Sequence, residues 1–184
     1  ETSDLLIEGT IQVSEHEDVR ERFRITGDTA DFSLSTEGQF YHPGWLFSSQ
    51  ADETKGWDLY LNPDVPIDLK VDTGVGRTEI DLTGMALTAL DIDSGVGEVV
   101  VTLPADGDFQ VRVSGGVGKL EILIPAGAAA RINVDTGLGN FSVTGDFTQR
   151  DGAYYTDSYN TADDQMEIFL DGGVGNIQVI EIDN

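Results

Sequence analysis

The sequence predicts an all-β chain, a β-solenoid of the parallel β-helix kind, with coils of about 21 residues that each hold two short strands. Three observations predict it. One short phrase recurs five times, as "VDTGVGRTEIDL", "IDSGVGEVVVTL", "VSGGVGKLEILI", "VDTGLGNFSVTG" and "LDGGVGNIQVIE". Apolar residues alternate at period two on both sides of each Gly-x-Gly, as half-buried strands require. Outward-facing charges change sign from one repeat to the next.

The elements follow in chain order. "LLIEGTIQV" (Leu5–Val13), "RERFRI", "DFSLS" and "WDLYLN" read as strands. They are expected to form irregular N-terminal coils and a cap over residues 1–62, because a solenoid must cover its unpaired edges. The segment "GQFYHPGWLFSSQADETKGW" (Gly38–Trp57) belongs to that cap, or else offers Tyr41, Trp45 and Trp57 to a sugar ring or a partner protein.

Regular repeats occupy residues 63–145. The first glycine of each Gly-x-Gly falls at Gly74, Gly95, Gly116 and Gly137, 21 residues apart each time. Alternation places Leu69, Val71, Ile80 and Leu82 inward in the first repeat. The same columns read Leu90, Ile92, Val101 and Leu103 in the second, and Val111, Val113, Ile122 and Ile124 in the third. Second turns carry Thr83-Gly84, Pro104-Ala105 and Pro125-Ala126-Gly127. The next first glycine, Gly173, lies 36 residues on, so a loop is expected over residues 146–165, followed by a last coil over 166–184.

A sandwich of hairpins would share the period but not the ordering of charges. One outward column reads Lys70, Asp91, Arg112 and another reads Arg77, Glu98, Lys119. Parallel strands about 4.8 Å apart gain from opposite charges in such columns, and this favours parallel stacking of residue i on residue i+21.

Composition narrows function by exclusion. Thirty-four acidic residues against ten basic ones give a formal charge of -24, unfavourable for nucleic acid or an anionic membrane surface. There is no cysteine, and the two histidines are His16 and His42, so neither a thiolate site nor a histidine cluster is available. No run of about 18 apolar residues suggests a membrane span, and the chain opens at Glu1 without a basic-then-apolar leader. Each Gly-x-Gly leads into another strand, so the glycines do not form the strand-to-helix junction that cradles a phosphate.

Two sets of residues stand out as candidate sites. Asp72, Asp93, Asp135 and Asp171 share a column interrupted by Ser114, and could hold calcium between coils or accept local backbone N–H groups in Asx-type turns. A serine at Ser114 suits the turns better than the ion. In the insertion "DFTQRDGAYYTDSYNTADDQ", Tyr154, Tyr155 and Tyr159 have the chemistry of a recognition surface or of a packed spacer. Twenty-one-residue coils leave little loop to wall a catalytic cleft, so no catalytic residue and no cofactor is predicted.

The stretch "LNPDVPIDLKVDTGVGRTEIDLTGMALTALDIDSGVGEVVVTLP", continued by "VSGGVGKLEILIPAGAAARINVDTGLGNFSV", resembles the bacterial toast-rack domain found in LiaF-like cell-wall-active-antibiotic-response proteins and related adhesin-like proteins. The resemblance runs from about Leu61 to Ile182 and is weaker over Asp4–Leu34. It implies a β-solenoid in the cell envelope, extracytoplasmic and either secreted or anchored by a segment outside this chain, without enzymatic activity. It also implies a protein or polysaccharide of the envelope as partner. LiaF-like members restrain a membrane histidine kinase and carry N-terminal membrane helices, which this sequence does not show, so adhesin-like binding is the expected role and kinase regulation the alternative.

Overall fold

The computed structural model describes residues 5–13, 17–38 and 56–183. The chain divides into two compact units, residues 1–62 and 63–184.

In the first unit the strands pair antiparallel. Strand β1 (Ile7–Gln12) lies against β4 (Gly56–Leu61), with Ile11 opposite Trp57. Strands β2 (Glu17–Thr26) and β3 (Thr29–Gly38) form a hairpin closed by Gly27 and Asp28. The expected N-terminal coils are therefore two separate two-stranded sheets. The reason is local: no Gly-x-Gly corner interrupts these segments, and the two-residue Gly27-Asp28 link suits an antiparallel hairpin, whereas parallel neighbours need a longer crossover. Trp45 and Tyr41 lie outside the described residues.

The second unit is one ten-stranded sheet, curled and built on parallel ladders. Its strands are β5 (Ile67–Asp72), β6 (Val75–Asp81), β7 (Leu87–Asp93), β8 (Val96–Thr102), β9 (Phe109–Ser114), β10 (Val117–Pro125), β11 (Ala130–Thr144), β12 (Phe147–Arg150), β13 (Ala153–Thr156) and β14 (Met166–Ile182). Strands before the glycines stack as β5, β7, β9, and strands after them as β6, β8, β10. Pairing is in register at 21 residues, as in Val75 beside Val96 beside Val117.

The ladder continues round the corner. Val96 N donates to Gly74 O and Val117 N to Gly95 O, each at 2.9 Å. Thr73 N and Ser94 N likewise reach the carbonyls of Asp93 and Ser114 in the next repeat. A backbone this close to its neighbour leaves no room for a side chain. A Cβ on Gly97 would collide with Gly76 O, one on Gly118 with Gly97 O, one on Gly175 with Gly118 O and one on Gly139 with Gly175 O.

That glycine series also shows how the repeats are ordered in space. The fifth repeat does not follow the fourth. Strand β14 pairs in parallel with β9 and β10 on one side and with β11 on the other, so the spatial order of repeats is first, second, third, fifth, fourth. Val174 N donates to Gly116 O at 2.9 Å, where sequential stacking would have put the fourth repeat. The connection that makes this possible is Ala126–Ala129, whose small residues cross beneath the start of β14, with Met166 N on Ala129 O at 2.8 Å.

Residues 146–165 then carry the chain back as two short strands, a single 3-10 turn at Asp157–Asn160 and an irregular return rather than as a plain loop. Strands β12 and β13 form an antiparallel hairpin that turns at Asp151-Gly152, and β13 pairs antiparallel with Arg131–Asn133 of β11. The hairpin covers that edge of the fourth repeat, which would otherwise present unpaired backbone groups.

The core is a single cluster of the inward columns. Leu90, Val111, Ile168 and Ile132 form one fully buried row, and Val101, Ile122 and Val179 another. Leu69, Val71 and Ile80 in the first repeat and Val143 in the fourth are only partly buried, because each has a repeat on one side.

Gly74 and Gly95 hold the same place in consecutive repeats and separate the steric cost from any other role of glycine. Nothing described lies within 4 Å of a Cβ built on Gly74, whereas one on Gly95 would overlap Gly74 O. Gly95→Ala is expected to cost on the order of 1–3 kcal/mol, the usual range for overpacking. Gly74→Ala is expected to be neutral or slightly stabilising. Thermal or urea unfolding of the two variants against the parent chain measures the difference.

Candidate functional site

The corner presents three outward columns side by side. Before the glycines stand Asp72, Asp93, Ser114, Asp171 and Asp135, on adjacent strands in that spatial order. At the bend stand Val75, Val96, Val117, Val174 and Leu138. After the glycines stand Arg77, Glu98, Lys119, Asn176 and Asn140. A shallow groove open to solvent follows the stacked corners.

The third column is an ionic ladder. Glu98 receives Arg77 at 2.5 Å from one side and Lys119 at 3.3 Å from the other. Glu79 and Glu121 take the remaining valences of those cations, at 3.3 and 2.5 Å. The Lys119 hydrogen bond, with Arg77 beside it, holds the Glu98 carboxyl below the usual glutamate range. Past Lys119 the alternation gives way to an amide pair, Asn140 Nδ2 donating to Asn176 Oδ1 at 3.2 Å.

The aspartate column is partly neutralised. Ser114 Oγ donates to the Asp93 carboxylate, and Lys70 Nζ approaches Asp93 at 3.4 Å and Asp72 at 3.7 Å. Ser114 and then Lys70 depress the Asp93 pKa. In the second repeat the N–H of Gly95, which an Asx-type turn at Asp93 would engage, donates instead to Thr73 Oγ1 of the first repeat at 2.9 Å. Asp171 and Asp135 sit directly beside each other, both exposed, and among the described residues no cation lies within ion-pair distance of either. Among the described residues no three acidic or histidine side chains converge as a metal ligand set.

Exposure of the middle column follows its place in the stack. Val75 and Leu138, at the two ends, are 88% and 76% exposed, and Val96, Val117 and Val174 between them are near half. Five aliphatic side chains thus form an unbroken ridge flanked by glycine on both sides. Sequence reasoning missed this ridge, because attention fell on the glycines. The signal was the residue between them, apolar in all five repeats at a turn where polar residues are usual.

The tyrosines of the insertion gather at the covered edge of the fourth repeat. Tyr154 packs against the core and meets Phe141, with ring centroids 5.3 Å apart. Tyr155 lies under the Arg150 guanidinium at 4.1 Å, with Arg131 on it at 5.9 Å and Tyr159 edge-on at 5.4 Å. Tyr159 Oη donates to Glu167, which also receives Arg131 at 3.1 Å. Burial, aided by Glu167, pushes the Tyr159 phenol pKa up. All three rings are half-buried. The buried Thr156 hydroxyl accepts Ala130 N at 2.8 Å and ties the hairpin to β11.

Comparison with known proteins places these features in context. Residues 1–123 match the family model of the N-terminal domain of toast_rack. The match includes the N-terminal unit, where the sequence resemblance is weak, and stops within the third repeat. Among solved structures, one described as a "putative cell adhesion protein" from Clostridium sporogenes superposes with a TM-score of 0.77 at 19% identity, over 90% of this chain and 76% of that one. No curated protein matches the chain.

The ionic ladder makes a prediction about pH. A carboxylate whose pKa is lower in the folded than in the unfolded chain stabilises above its unfolded value and ceases to do so as pH falls through its folded value. Glu98→Gln is therefore expected to lower Tm at neutral pH. The gap to the parent chain narrows below about pH 4.3, the unperturbed glutamate value, and closes once Glu98 is protonated in the folded state. Added salt narrows the gap as well. Tm measured against pH for both proteins reads the outcome directly.

Proposed function

The chain belongs to the toast-rack family through the domain matched over residues 1–123, and from that premise we propose that it is a non-catalytic module of the bacterial cell envelope that binds or displays rather than reacts. The observation that carries this reading is the corner. Five repeats bring identical aliphatic positions to one exposed line that the core does not use. Ionic ladders and close-packed glycines hold that line rigid, which suits a surface for attachment.

The description of the solved neighbour as a cell adhesion protein supports an adhesin-like role on the outer side of the membrane. A polysaccharide or a protein of the envelope is the partner this reading names. The charge of -24 directs it away from nucleic acid and anionic lipid.

Capture from envelope fractions at moderate salt tests the role, with cell-wall polysaccharide and solubilised membrane proteins offered separately. Retention on polysaccharide is the expected result. Selective recovery of a histidine kinase would make the chain a regulatory module, and no capture in either fraction would overturn the binding reading. A Tyr154→Ala, Tyr155→Ala, Tyr159→Ala variant locates the site. Loss of Tm without loss of capture assigns the tyrosines to packing of the hairpin, whereas loss of capture at unchanged Tm assigns them to the partner.

A further inference from the structure

The ridge and the aspartate column beside it define what kind of partner segment would fit. Adjacent parallel strands are about 4.8 Å apart, so five side chains in register span about 19 Å. One helical turn advances about 5.4 Å, so a helix lying along the stack presents one side chain per strand and drifts by only about 2.4 Å over the ridge. An extended segment repeats the same face every 6.6–6.8 Å or so and falls out of step by roughly 8 Å. Five side chains at one per turn span about four turns, so the spacing selects a helix of about 15 residues.

Charge selects its composition. On one flank of the ridge the cations Arg77 and Lys119 are already held by Glu79, Glu98 and Glu121. On the other flank the side chains of Asp72 and Asp93 are more than half exposed, and Asp171 and Asp135 face solvent as neighbouring carboxylates without a cation. A segment with lysine or arginine on that side relieves their repulsion. A second copy of this chain, at -24, does not.

We propose that the Val75, Val96, Val117, Val174 and Leu138 ridge is a docking seam for a cationic amphipathic helix of a partner protein. The helix lays its apolar stripe on the ridge and its basic flank over the aspartate column, with apolar anchors at i, i+4 and i+7 spacing. The proposal rests on the reading of the chain as a binding module and assigns that function to a definite surface.

The test uses the full chain and two labelled peptides of about 15 residues, an amphipathic leucine–lysine helix and its scrambled isomer of identical composition. Binding is followed by fluorescence anisotropy at physiological ionic strength. The amphipathic peptide is expected to bind about tenfold tighter than the scrambled one, a difference of about 1.4 kcal/mol. Val96→Ser, Val117→Ser, Val174→Ser together are expected to erase that difference without lowering Tm, since these side chains are exposed. Asp135→Asn with Asp171→Asn weakens binding of the amphipathic peptide and flattens its salt dependence. A single Val117→Lys substitution at the centre of the ridge gives an independent check and is expected to prevent docking.

Equal binding of the two peptides overturns the proposal, as does undiminished binding by the serine or lysine variants. If the serine variant still captures an envelope partner from cell fractions, the binding role stands and the seam is not its site.

Discussion

The second unit depends on backbone meeting backbone at the corner. From one repeat to the next, the carbonyl of a glycine occupies the place where the following glycine would carry a Cβ, in the order Gly76, Gly97, Gly118, Gly175, Gly139. That approach lets the main-chain ladder continue round the corner, through Val96 N on Gly74 O and Val117 N on Gly95 O, and so the strands on either side remain in parallel register. Register in turn aligns the inward aliphatic columns into one core and sets charge opposite charge along Arg77, Glu98 and Lys119. It also leaves the residue between the glycines no direction but outward.

Much of this was legible in the sequence, because the information is local and repeated. Alternation marks which residues face inward, and the 21-residue spacing with its charge columns distinguishes parallel stacking from hairpins. The position of the fifth repeat was not legible. Its inward residues Ile168, Leu170 and Val179 and its Gly-Val-Gly corner would fit beside the third or the fourth repeat equally well. The choice is made by connections whose sequences carry no period: the small residues Ala126–Ala129, and a hairpin that spends residues 147–156 on covering an edge. The N-terminal strands were recognisable as strands, but their antiparallel pairing depends on turns that repeat reasoning does not address.

The candidate sites divide along the same line. The aspartate column is real in space, with Asp135 beside Asp171, and the changed order of repeats puts Asp171 rather than Asp135 next to Ser114. The tyrosines are drawn together with Arg131, Arg150 and Glu167 at the covered edge, a cluster built from segments distant in sequence. The aliphatic ridge was hidden for a different reason. An exposed valine in a turn is unremarkable singly, and it becomes a surface feature only when five are placed in line.

The order of the repeats is the claim from which the succession of side chains along the ridge and the place of the edge-covering hairpin follow. Because the chain has no cysteine, engineered pairs can report it without background. Lys119→Cys with Asn176→Cys joins positions that face each other across β10 and β14, an adjacency that stacking in sequence order would not produce, at a separation suited to a disulfide. Asn140→Cys with Lys119→Cys joins positions that would be neighbours only if the repeats stacked in sequence order. The account predicts rapid oxidation of the first pair in the folded protein and none of the second. Preferential oxidation of the second pair would contradict it.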